Sequence, residues 1–213
     1  MVLKLLGIAG TSFVIGLSGA MMPGPVLTVT ISEGIRRGFR AGPLVVLGHG
    51  ILEFFLVISL VLGLGPLLQK DVVFAAVGSA GTIIMLWMGW GMIRSLPTLQ
   101  LPSATEGGSH IHPVWAGIFL SVANPYWTLW WATIGLGYII YSQRFGVLGV
   151  AFFFAGHIFS DLAWYSAVSW AVARGRSLMS KRVYRTLIAL CATALILFAL
   201  WFGSSSVGKL LVL

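Results

Sequence analysis

The chain predicts an all-α membrane protein: six transmembrane helices as a 3+3 inverted repeat, with the first and fourth helices broken. Three observations carry that reading. Of 213 residues, 58% are hydrophobic and only 8% charged, whereas a soluble domain has about 25% charged residues. The apolar residues fall into six runs of the length a hydrocarbon core demands, about 20 residues per helix. The runs also repeat. Pro23-Gly24-Pro25 interrupts the first and Asn124-Pro125 the fourth. Gly48-His49-Gly50-Ile51-Leu52-Glu53 in the second is matched by Gly156-His157-Ile158-Phe159-Ser160-Asp161 in the fifth.

The first span is placed from about Leu5 to Ile31. One early cation, Lys4, precedes an apolar stretch that runs on through the proline break into Thr28-Val29-Thr30. A cleaved signal would end its short apolar region at a small-residue site, so this segment reads as a retained span. The second span covers about Pro43 to Leu64 and the third about Val72 to Ile93. In the third, Gly78, Gly81, Gly89 and Gly91 suit close helix contact. The segment Ser95 to His112, with Pro97, Pro102, Gly107 and Gly108, is the one linker-like stretch. The chain thus divides into a first repeat at 1–95, a cytoplasmic connector at 96–112 and a second repeat at 113–213. The fourth span covers about Val114 to Ile140, the fifth about Val147 to Val172 and the sixth about Leu187 to Phe202. The lone Cys191 excludes an intramolecular disulfide and reads as packing.

A net charge of +8 raises the question of nucleic acid. The cations lie instead in short loops between apolar runs, as orientation signals do; no nucleic-acid partner is expected. Arg36, Arg37, Arg40, Arg94, Arg174, Arg176, Lys181, Arg182 and Arg185 fall on one side, and Lys4, Lys70, Arg144 and Lys209 on the other. The richer side faces the cytoplasm, which puts both termini outside. With three spans per half, the second half enters the membrane from the opposite side, so the repeat is inverted.

Ionisable residues at membrane depth are functional candidates, because hydrocarbon penalises them. His49 and Glu53 are four apart and share a helical face, as do His157 and Asp161. The bland reading is two self-satisfied polar pairs. The functional reading has two forms. Imidazole and carboxylate can carry protons, or the four can ligate a divalent metal; spacing alone does not choose. The breaks supply the other half of a site. Backbone groups freed at membrane depth are tolerated only against protein or a wet cavity. Pro23, Gly24, Pro25, Asn124 and Pro125, with Tyr126, are therefore the expected substrate-binding residues. Open amides suit a carboxylate and open carbonyls an ammonium, so a zwitterionic amino acid fits. Trp127, Trp130 and Trp131 line a pocket or pack. Glu33 reads as a solvated partner of the loop arginines, and His110 and His112 as solvated connector residues. No Gly-x-x-x-x-Gly-Lys loop and no Cys-x-x-Cys occurs, which disfavours an ATP-driven pump and a thiol-redox carrier. Neither enzyme activity nor a cofactor is expected.

Pro23-Gly24-Pro25, the loop Arg36-Arg37-Gly38-Phe39-Arg40-Ala41-Gly42 and the apolar second span resemble the opening of the LysE/RhtB exporters. Trp115-Ala116-Gly117-Ile118-Phe119-Leu120 followed by Asn124-Pro125 resembles that family's fourth span. The resemblance implies a six-span prokaryotic inner-membrane protein, a homodimer, that exports amino acids using the proton gradient. The chain departs from the pattern in its His-carboxylate pairs and in Tyr126-Trp127-Thr128-Leu129-Trp130-Trp131. The wider superfamily includes divalent-metal exporters, so export of a metal through His49, Glu53, His157 and Asp161 stands as the alternative.

Overall fold

The protein's structure, a computed structural model, describes residues 1–68, 70–99, 111–175 and 180–210. These residues are helical almost throughout. Helix α1 spans Val2–Ala20, and α2 spans Pro25–Arg37. Four residues separate them, so the proline break ends one helix and starts another. Gly24 caps α2 in an extended conformation and Pro25 is its first residue, a position where the missing N–H costs nothing. Gly38 then ends α2 at φ 70°, a positive φ that favours glycine. After a 3-10 turn at Gly38–Arg40 comes α3, Ala41–Ser59, which runs into a π-helical turn at Leu60–Leu64 and the short α4, Gly65–Leu68. Helix α5 spans Asp71–Ser95.

The second half opens with α6, Pro113–Val122, and α7, Pro125–Trp130, parted at Asn124. A π-helical turn at Trp131–Gly135 leads into α8, Leu136–Gln143. Helices α9, Gly146–Gly175, and α10, Lys181–Leu210, complete the chain. Among the described residues, four helical stretches are long and apolar enough to cross a membrane: Val2–Ala20, the 40-residue stretch Pro25–Leu64, Gly146–Gly175 and Lys181–Trp201.

Helix α1 packs along α9, α3 against α6 and α9, and α5 along α10. Lipid and helix interior are equally apolar, so close backbone approach drives such packing. At Gly48 on α3 an added Cβ would run into the Val114 carbonyl of α6, and at Gly156 on α9 into the Ala9 carbonyl of α1. These are the glycines of the two Gly-His motifs. Each lets a neighbouring helix touch the backbone beside the histidine that follows. A Ser12 hydroxyl donates to the Phe153 carbonyl at 2.7 Å, a buried tie between α1 and α9. The main apolar core joins Leu5, Ile8, Val57, Trp131, Ile139 and Phe153. Leu47, Phe55, Trp87, Phe159 and Leu197 face outward, as lipid contact requires.

Several sequence expectations change here. Glu33 is buried, with its carboxylate 2.6 Å from the Arg37 guanidinium. It is paired, but not solvated, because α2 continues six residues past the apolar run. Gly81 meets Pro125 and Gly89 meets Ile196, as close packing needs, but Gly91 faces open space. His112 caps α6, accepting from the Val114 amide at 3.4 Å. His110 and most of the connector, like Arg176, lie outside the described residues.

Candidate functional site

The two His-carboxylate pairs are one cluster. Helices α3 and α9 pack on each other and present their motif faces inward, so all four side chains are buried. His49 Nε2 lies 3.0 Å from Glu53 Oε1, its own partner, and 3.6 Å from Asp161 Oδ2. His157 Nε2 lies 3.1 Å from Glu53 Oε2 and 3.6 Å from Asp161 Oδ2. Each imidazole thus faces both carboxylates, and the pairing crosses between the halves. Taking an isolated carboxylate from water costs several kcal/mol even after relaxation, on the order of 5, so two so close together demand cations or protons among them.

The hydroxyl of Ser121 determines one proton. It donates to the Gly117 carbonyl at 2.5 Å, which uses its single hydrogen. The 2.6 Å contact between Ser121 Oγ and His49 Nδ1 is then an Nδ1–H donating to the hydroxyl. A neutral His49 accordingly turns a lone pair at Nε2 toward the Glu53 carboxylate. Two acceptors at that distance require a proton or a metal between them.

The carboxylates are held differently. Glu53 Oε1 accepts from the indole N–H of Trp127 at 2.9 Å and of Trp131 at 2.8 Å. Hydrogen bonds to a charged acceptor contribute about 1.5–3 kcal/mol each, so the two indoles fix the Glu53 side chain in place. Asp161 Oδ2 and Glu53 Oε2 are buried without a hydrogen-bond partner, as are both ring nitrogens of His157. The His157 ring stacks on Trp130 with centroids 4.6 Å apart, and Trp131 meets it edge-on at 5.2 Å. Trp127 and Trp131 are one turn apart, and the π-helical turn begins at Trp131. Such turns often accompany functional sites.

A cavity of about 40 Å³ opens on this cluster, lined also by Ala20, Val26, Ser121, Asn124, Tyr126 and Tyr165. A water needs about 10–15 Å³ by this measure, so the space admits a few waters or one ion, and an amino acid would have to widen it. Asn124 and Tyr126 are among its lining residues. Pro23, Gly24, Pro25 and Pro125 do not line it. Pro23 is exposed, Pro25 is buried as the first residue of α2, and Pro125 packs on Gly81. The prolines shape the breaks; the residues beside them face the cavity. The two breaks do meet: a Cβ at Gly24 would lie 3.3 Å from Asn124 Nδ2. Asn124 caps α7 by accepting from the Tyr126 amide at 3.1 Å. The start of α2 has no side-chain cap, and Val26 in its first turn lines the cavity.

Sequence reasoning did not assign Ser121 to His49 or the two indoles to Glu53. The four-residue spacing of Trp127 and Trp131 put them on one face; nothing in the sequence marked Ser121.

Broken helices meeting at a buried, ionisable cluster inside an apolar bundle are a layout found in membrane transporters. The chain belongs to the LysE type translocator family, whose sequence model matches residues 17–206; members of that family are transporters. It is 22% identical over 201 residues to YcgF of Bacillus subtilis (strain 168), whose name describes amino acid efflux, covering 93% of this chain and 96% of that one. It is 27% identical over 185 residues to the chemotactic transduction protein ChpE of Pseudomonas aeruginosa, covering 84% and 90%. It is 25% identical over 209 residues to the arginine exporter protein ArgO of Serratia proteamaculans (strain 568), covering 89% and 95%. No solved structure matches the chain significantly.

Proposed function

We propose that this protein is a proton-coupled exporter of amino acids in the inner membrane of a prokaryote, working by alternating access around the His49–Glu53–His157–Asp161 cluster. One observation carries the reading: a cavity that joins two buried carboxylates to the uncapped start of α2. Helix N-termini attract anions, and carboxylates attract ammonium groups. A zwitterion is the small solute that uses both. The names of YcgF and ArgO support the amino-acid class.

His49, Glu53, His157 and Asp161 carry the coupling protons in this reading, since the imidazole and carboxylate acceptors must share them. Asn124 and Tyr126 touch the substrate, while Pro23, Gly24, Pro25 and Pro125 hold the breaks open. The chain makes six spans as two inverted repeats. Packing supports this: exchanging the halves turns the α1–α9 contact into the α6–α3 contact, and Gly156 against Ala9 has its counterpart in Gly48 against Val114. The working unit is a homodimer, as the family resemblance implies.

A thermal-stability screen of the purified chain tests the substrate class. At 100 times its Kd a ligand stabilises by about 2.7 kcal/mol. Amino acids are expected to raise Tm, while carboxylic acids and amines that lack the other group do not. Equal stabilisation by acetate or by simple amines would contradict a zwitterion site.

A further inference from the structure

We propose that His49, Glu53, His157 and Asp161 also form a binding site for one divalent transition-metal ion of the Zn²⁺ or Co²⁺ kind, and that the bound ion locks the bundle shut. The lock rests on the export reading above; the site itself does not.

The four side chains each offer one ligand atom, and these atoms lie within 4.8 Å of one another. A tetrahedral ion with bonds of about 2.0–2.1 Å has ligand-to-ligand edges of about 3.3–3.4 Å. The edges from His157 Nε2 to Glu53 Oε2 and to Asp161 Oδ2 are 3.1 and 3.6 Å, and that from His49 Nε2 to Asp161 Oδ2 is 3.6 Å. These three edges lie within a few tenths of an ångström of the tetrahedral value, and the remaining edges close from at most 4.8 Å.

The donors are free for the purpose. Glu53 Oε2, His157 Nε2 and Asp161 Oδ2 are buried without hydrogen-bond partners. The indoles occupy the other oxygen of Glu53. Ser121 holds the proton of His49 on Nδ1, leaving Nε2 as a ligand oriented from behind, as metal-binding histidines are. Two carboxylates balance the charge of a divalent ion, so the loaded site is neutral at membrane depth. Two imidazoles with two carboxylates suit zinc-like ions; calcium prefers six to eight oxygens. A cavity of about 40 Å³ suits one ion. Because ligands come equally from α3 and α9, the ion ties together the two helices that alternating access must separate.

The test titrates Co²⁺ into the purified, chelator-stripped full chain. The expected result is one Co²⁺ per chain with the intense visible absorption of a four-coordinate ion, displaced by Zn²⁺. Ser121→Ala, which removes the acceptor behind His49 and touches none of the four ligand atoms, is expected to weaken binding about 10- to 100-fold, and His157→Gln to weaken it further. Circular dichroism and elution volume show whether each variant is folded. Absence of stoichiometric Co²⁺, or equal binding in folded Ser121→Ala and His157→Gln, overturns the site. In proteoliposomes Zn²⁺ is expected to stop amino-acid exchange, reversibly with chelator; exchange that continues with the ion bound overturns the lock. Stabilisation by amino acids without metal binding removes only this proposal. Metal binding without any amino-acid binding removes the export reading and leaves the site standing.

Discussion

Glu53 and Asp161 are carboxylates in one cavity with unequal surroundings, and that inequality sets the tests at the scale of single residues. Glu53 receives two indole N–H groups on one oxygen, while Asp161 Oδ2 has no hydrogen-bond partner. Trp131→Phe keeps the ring and removes one donor. It is expected to cost about 1.5–3 kcal/mol, read as a fall in Tm, with a smaller loss for the more exposed Trp127→Phe. Unchanged stability in both variants would mean the indoles do not hold the charge. The motif glycines give a second test. Gly48→Ala and Gly156→Ala each drive a methyl into a neighbouring backbone carbonyl, and overpacking costs typically about 1–3 kcal/mol, with backbone at the upper end. Gly10→Ala, where nothing lies within 4 Å of the new methyl, is expected to be neutral or to stabilise by up to about 1 kcal/mol, since alanine favours a helix over glycine. Melting of the three purified variants checks this. Part of this detail was legible in the sequence. Spacing of four placed each histidine beside its own carboxylate. That His157 lies as close to Glu53 as His49 does depends on the packing of α3 on α9, which no local spacing encodes. Ser121 was silent for the same reason.

Elements follow the sequence where hydropathy alone decides their ends. Hydropathy predicts the third span over about Val72 to Ile93 and the helix is Asp71–Ser95; it predicts the fifth over about Val147 to Val172 and the helix is Gly146–Gly175. The predicted sixth span starts at about Leu187, yet α10 begins at Lys181. Lys181, Arg182 and Arg185 are good helix formers that hydropathy counts as loop. Arg185 is also anchored, donating to the Leu99 carbonyl at 3.3 Å and to that of Pro97. The π-helical turns at Leu60–Leu64 and Trp131–Gly135 left no mark in composition. At the breaks, Asn124 takes the cap that α2 lacks. Asn124→Ala is expected to lose about 0.5–2 kcal/mol of stability and to weaken substrate binding, because its side chain lines the cavity. Normal binding by calorimetry in a destabilised Asn124→Ala would limit Asn124 to capping.

The whole molecule turns on its topology and its coupling. The split of nine cations to four predicts both termini outside and the connector inside. A reporter fused after Leu213 is expected to be active on the outer side, and one inserted near Ser103 on the inner side. If both report one side, the inverted repeat fails. The central claim is that protons shared by His49, Glu53, His157 and Asp161 drive export. Transport in proteoliposomes carrying the double substitution Glu53→Gln/Asp161→Asn, with and without a pH gradient, tests it most directly. The amides keep the shape of the site and cannot titrate, so gradient-driven export is expected to fall at least about tenfold, equivalent to about 1.4 kcal/mol, while exchange without a gradient survives better. Full gradient-driven export in the double variant would reduce the cluster to structural glue and contradict the mechanism.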